Sequence, residues 1–243
     1  PREKAAATEL VVMIERMSGA RLKLADTTPS VSAALAGNDP LVVVGEEALR
    51  ALPALGARLT AAAKKSPRLG ADAIALRRVG QRLYVAGNND PSHAYAVAYL
   101  LREWGCRWFM PTAFGESIPE QRTLKVGALD YAYGSPFEVR RFWIAWNGST
   151  AGADDFSRRN FFGERRVSGG HTLEKYLKDV VPPERTALNG PIAGEFPANY
   201  VAAQVAPLFA KGQDFSLGMD DGTYDLYQRR DLKLRANVRD KYA

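Results

Sequence analysis

The sequence predicts an α/β fold, and three observations carry that prediction. Residues 5–18, AAATELVVMIERMS, place Leu10, Ile14 and Met17 on one stripe at helical spacing, with Gly19 as a stop. The run 41-LVVVGEE-47, bounded by Asp39-Pro40 and a glycine, is short and continuously apolar, as expected of a strand buried on both faces. The segment 73-AIALRRVGQRLYVAGN-88 holds two β-rich runs joined near Val79-Gly80-Gln81, the pattern of a hairpin.

The remaining elements follow in order. A helix is expected from Ala48 to Lys65, after the first strand. Ser92 is placed to cap a further helix with Ala96, Tyr99 and Leu100 on one face, ending at Trp104-Gly105. Helix, strand, helix, hairpin and helix together make a compact α/β layer over residues 1–133, and Pro136 after Tyr133-Gly134-Ser135 marks the boundary with a second region, 134–243. In that region 137-FEVRRFWIAW-146 reads as a strand and 198-ANYVAAQVAPLFAKG-212 as a helix with Pro207 inside it. The stretch 214-DFSLGMDDG-222 reads as another strand, so the connections suggest βα units on a parallel sheet.

Composition narrows the function. A chain of 243 residues with 46% hydrophobic content buries a sizeable core. The net charge of +6 favours anionic partners, but the cations are scattered and no nucleic-acid motif is present, so nucleic acid is not an expected partner. The pairs Arg140-Arg141, Arg158-Arg159 and Arg165-Arg166 are expected as solvated faces or ion-pair partners. The single Cys106, in an apolar setting, excludes an internal disulfide framework and is expected to be buried and inert. With two histidines, His93 and His171, no metal centre and no other cofactor are expected. No apolar run reaches the roughly 20 residues that span a bilayer. Pro1 in place of an initiator methionine is expected of a processed or trimmed chain. Phosphate-loop, dinucleotide, nucleophile-elbow and zinc-protease motifs are absent from the sequence.

Four segments then become familiar: 92-SHAYAVAYLLREWGCRWFMPTAFGESIP-119, 168-SGGHTLEKYL-177, 184-ERTALNG-190 and 215-FSLGMDDG-222. The first resembles the end of the small α/β domain that precedes the catalytic barrel of α-glucuronidases and β-N-acetylhexosaminidases. The others are similar to the barrel half of a little-characterised glycoside-hydrolase-like family with the same leading domain. The resemblance implies a small α/β sandwich-like N-terminal domain followed by a TIM (β/α)8-type barrel, a glycosidic substrate, and secretion or a periplasmic location. A full barrel takes about 250 residues, so residues 134–243, enough for roughly four βα units, represent it incompletely.

Candidate site residues come from strand parity and from the resemblance. In 215–221, Phe215, Leu217 and Met219 share one face, while Ser216, Gly218 and Asp220 share the other, so Asp220 points to the barrel axis at the C-terminal mouth. Asp221 lies at the turn opened by Gly222. Glycoside cleavage needs one group to protonate the leaving oxygen and another to stabilise or attack the anomeric centre. Carried over by position from hexosaminidase-type enzymes, Asp220 polarises a 2-acetamido group and Asp221 is the acid/base; relatives often read Asn-Asp-Gly here. The competing reading is an Asp-Gly turn that caps its own backbone. His171, after two glycines, is assigned to substrate binding, or to the start of the helix near Thr172. Trp143, Trp146 and Asn147 offer aromatic faces and an amide to a pyranose, or pack under the first domain. Arg141 is placed to meet a uronic carboxylate or an internal acid. An oligosaccharide or glycoconjugate is the expected partner, acted upon by a glycosidase; non-catalytic glycan binding and a structural role within a larger chain are the alternatives.

Overall fold

A computed structural model describes residues 2–63, 72–137, 139–140, 151–163 and 195–210. The chain divides into two compact units, Pro1–Arg165 and Arg166–Ala243. The first is an α/β unit in which a four-stranded sheet carries helices on both faces.

Helix α1, Arg2–Ser18, buries Ala6, Leu10, Met13, Ile14 and Met17, the 3–4 spacing of one helical face. A second helix, α2, Thr28–Ala36, adds to the elements expected from the sequence. It buries no residue and so leaves no apolar stripe in the sequence; a capping box between Thr27 and Ser30 and an early proline start it. Strand β1, Leu41–Val44, has only Val43 buried, because it lies at the edge of the sheet rather than inside it as the apolar run suggested. The single helix expected over 48–65 is two, α3, Glu46–Ala51, and α4, Pro53–Ala62. Proline disfavours helical geometry in the residue before it, and Leu52 accordingly turns out to φ −135°, ψ 78°.

The hairpin forms as expected. Strands β2, Ala73–Val79, and β3, Arg82–Gly87, pair antiparallel across Gly80-Gln81, with Leu76 opposite Val85. Helix α5, Asp90–Glu103, has its cap three residues before the expected one. Asn89 caps it, accepting from the Ser92 amide at 2.9 Å, while Ser92 Oγ accepts from the Asn89 amide at 2.9 Å. Ser92 is therefore the inner partner of a capping box rather than the cap. Two short strands, β4, Arg107–Trp108, and β5, Glu116–Ser117, pair with each other. Strand β6, Asp130–Gly134, pairs antiparallel with β2, and α6, Ala153–Arg159, closes the unit's described elements.

The sheet order is β1-β3-β2-β6; α3 and α4 join the end of β1 to the start of the antiparallel β2, which carries the chain back so that β3 runs parallel to β1. Pleating sorts the side chains. Ile74, Leu76, Leu83 and Val85 face α1 and α5, whereas Ala73, Ala75, Tyr84 and Ala86 face Leu55 and Leu59 of α4. Each fully buried leucine or valine here contributes about 1.5–3 kcal/mol. Gly87 sits where β3 hands over to α5, and a Cβ there would collide with the backbone of Ser92. That contact sets the close approach of strand end to helix start.

In the second unit the described element is α7, Glu195–Ala210, close to the helix expected over 198–212. Val201 and Val205, one turn apart, are buried, and Pro207 stands inside the helix. Of the strand expected at 137–146, residues Phe137, Val139 and Arg140 are described and are not in a strand; 141–146 lie outside the described residues, as does all of 214–222.

A candidate binding pocket in the first unit

All seven residues singled out by sequence, Asp220, Asp221, His171, Arg141, Trp143, Trp146 and Asn147, lie outside the described residues. The described part of the first unit nevertheless contains a pocket of about 420 Å³. Three pieces of chain build it. The start of β2 brings Asp72 and Ile74; the end of β6 and the residues after it bring Tyr133, Ser135, Phe137 and Arg140. The turn after α6 brings Asn160, Phe161 and Phe162, and Tyr95 of α5 forms part of the wall.

Arg140 ties these pieces together. Its Nη2 donates to Asp72 Oδ2 at 2.5 Å, its Nε to the Phe161 carbonyl at 2.7 Å and its Nη1 to the Phe137 carbonyl at 3.4 Å. The guanidinium also lies over the Tyr95 ring at 5.9 Å, and the Arg140 carbonyl accepts from the Gly163 amide at 3.0 Å. Asp72 is held from the other side by Asn89 Nδ2 at 3.2 Å, so the residue that caps α5 also aims the pocket's carboxylate. Both side chains of the pair are mostly buried, at 14% and 16% exposure.

The third piece is equally constrained. Phe161 has φ 61°, the left-handed region that a bulky residue seldom occupies. Its amide donates to the Arg158 carbonyl, its carbonyl accepts from Arg140, and its ring meets Tyr95 edge-on at 6.1 Å with Arg102 over it at 5.4 Å. Tyr95 Oη donates to the Phe162 carbonyl at 2.6 Å. Strain of this kind costs on the order of 1–3 kcal/mol and persists only where surrounding contacts over-determine it.

Ser135 Oγ accepts from the Phe137 amide, and no histidine stands among the pocket's described residues. Asn160 donates to the Trp108 and Phe156 carbonyls and accepts from Arg102 Nη1. Among the described residues, the lining combines the rings of Tyr95, Tyr133, Phe137, Phe161 and Phe162 with the paired Asp72 and Arg140.

A second polar centre joins α1, β5 and α6. Glu9 receives Arg158 and Arg159, Arg159 reaches Glu116 at 2.8 Å, and Glu116 receives Arg16 at 2.8 Å. Burial would push the Glu116 carboxyl up, but hydrogen bonds and charge from Arg16 and Arg159 outweigh it and hold it below its ordinary value. Arg158-Arg159 are thus ion-pair partners, one of the two roles expected of them. Arg159 also lies over the Trp108 ring at 5.2 Å.

Two other groups have settled roles. His93 is 2% exposed; its Nδ1 accepts from the Gly87 amide at 3.0 Å, and its Nε2 meets Glu46 Oε1 at 3.3 Å. It staples the C-terminal ends of the parallel strands β1 and β3. Cys106 is fully buried, as expected, and burial pushes its thiol up to about 11. Among the described residues no cluster of His, Cys, Asp and Glu suits a metal ion, and no helix is long and apolar enough to cross a membrane.

Comparison with protein-family models, curated proteins and solved structures found no match. Sequence reasoning missed the pocket because its residues come from positions 72–162 without a local motif. The one available signal was the aromatic string 131-YAYGSPF-137, dense in rings for a segment read as a boundary.

Proposed function

We propose that the protein acts on glycans as a glycoside hydrolase, with Asp220 and Asp221 as its acid pair and a (β/α)-barrel fold around them. The observation that carries this reading is the run 215-FSLGMDDG-222, whose alternation aims Asp220 to one face and whose Gly222 frees the turn beside Asp221. The α/β unit preceding it is consistent with the leading domain that the resemblance implies.

In this reading Asp221 delivers its proton to the glycosidic oxygen as that bond to the anomeric carbon breaks. Asp220 orients a 2-acetamido group whose carbonyl oxygen closes on the anomeric carbon. Asp221, now a carboxylate, takes a proton from the water that opens the cyclic intermediate. Two adjacent acids divide these roles when their surroundings separate their proton affinities. His171, Trp143, Trp146, Asn147 and Arg141 supply contacts to the sugar.

The test is a panel of chromogenic glycosides, including 2-acetamido sugars, with a 2-acetamido thiazoline as inhibitor. Turnover that falls by about 10²–10⁴-fold in Asp221→Asn supports the assignment. Unchanged turnover in that variant refutes it, and saturable binding without product favours a glycan-binding protein that lacks turnover.

A further inference from the structure

We infer that the pocket between β2, β6 and the turn after α6 is a non-catalytic binding site for one neutral pyranose ring. The inference extends the glycan reading above and rests on it for the source of the sugar. Its chemistry comes from the pocket alone.

Size is the first consideration. A cavity of about 420 Å³ falls within the range of small-molecule sites and admits a single sugar ring with its substituents. The rim carries exposed aromatic rings. Tyr133 is 44% exposed and Phe137 66% exposed, both beside the cavity, and Tyr133 continues a ring ladder through Tyr131 to Tyr99 with centroid separations of 6.5 and 4.3 Å. Such faces suit the C–H surface of a pyranose.

The polar groups then decide between kinds of ligand. Each nitrogen of Arg140 makes one of these contacts, with Asp72 and with the carbonyls of Phe137 and Phe161, and Asp72 matches its charge, so the pair presents no net positive charge to a carboxylate or phosphate. Asp72 is neutralised by the same contact, so the site does not call for a cation. Acceptor capacity remains, because each carboxylate oxygen of Asp72 receives one hydrogen bond here and can take another. An uncharged ligand rich in hydroxyl donors, with one apolar face, matches that inventory. A uronate and an amino sugar do not.

Rigidity is the last point. The left-handed Phe161, the buried pair and the Tyr95–Phe162 hydrogen bond fix the walls before any ligand arrives, which lowers the ordering cost of binding.

The test uses the full chain, unmodified and as Asp221→Asn, with methyl β-glucoside, β-galactoside and β-xyloside as probes. Methyl β-glucuronide and indole serve as charged and flat apolar comparators. Saturation-transfer NMR and calorimetry read binding, and far-UV circular dichroism confirms that the exposed-rim variants fold. At least one neutral glycoside should bind equally to both forms of the chain, with saturation concentrated on its ring C–H face. Tyr133→Ala and Phe137→Ala should each weaken it about tenfold, and the glucuronide should bind about tenfold more weakly than the best neutral sugar. Absence of binding by every neutral glycoside, binding unchanged in the Tyr133→Ala/Phe137→Ala double variant, a glucuronide bound as tightly, or binding of indole alone would overturn the inference. Lack of turnover on every glycoside would remove the hydrolase reading and leave this one intact, since nothing here uses Asp220 or Asp221.

Discussion

Two arginine centres fasten the same stretch of chain, one at the C-terminal end of α6 and one just past it, and they differ in what surrounds them. At the first, Arg158 and Arg159 bridge Glu9 of α1 and Glu116 of β5, and every member of the chain from Glu9 to Arg16 joins one element to another. At the second, Arg140 pairs with Asp72 beside an open cavity and spends its other nitrogens on backbone carbonyls of the pocket wall. The same ion chemistry therefore works as a clasp in one place and as a fixed wall in the other. What separates scaffold from site is the neighbouring empty volume with exposed rings.

Removing a member of each centre should expose the difference. The largest effect is expected for Glu9→Ala, which leaves two mostly buried guanidinium groups without their shared carboxylate; a loss of about 3 kcal/mol should appear in urea unfolding. Asp72→Asn keeps the shape and removes the charge beside Arg140, so a smaller loss of about 1–2 kcal/mol is expected by the same measurement. If Asp72→Asn proved as damaging as Glu9→Ala, the second centre would be a clasp like the first. Asn89→Ala should cost about 1 kcal/mol through the lost α5 cap, with a shift of the Asp72 region in amide spectra.

The pH dependence sharpens the contrast further. Because the Glu116 carboxyl is held below its ordinary value of 4.5, its contribution is present above that value and is lost as pH falls through the lowered one. Thermal melting should therefore change little on this account between pH 7 and pH 5 and fall below that, and Glu116→Gln should flatten part of the fall. The smallest effect is expected for Phe137→Ala, within about 0.5 kcal/mol by urea unfolding, because the ring is mostly in solvent. A ring that contributes so little to stability is free to serve a ligand.

The parts of the fold that were legible in the sequence are those whose signal is periodic. The stripe of Leu10, Ile14 and Met17 gave α1, and the paired β-rich runs around Gly80 gave the hairpin, since burying one face imposes a repeat on the chain. Helix α2 escaped because nothing in it is buried, and β6 escaped because 130-DYAYG-134 is short and lies next to residues that read as a boundary. The division of α3 from α4 was legible in Pro53 but was outweighed by the apolar content on either side.

By itself the sequence determined the α/β class, the hairpin and the burial of Cys106, each a matter of local spacing or residue chemistry, and it left the arginine doublets open between solvated faces and ion pairs. Only the tertiary structure decided which acid each arginine meets and where a cavity opens. Asp72, Tyr95, Tyr133, Arg140 and Phe161 are brought together by strand pairing and helix packing over long stretches of chain. No short-range pattern encodes that meeting, because the contacts that position those side chains form only when the sheet and its two helical layers assemble.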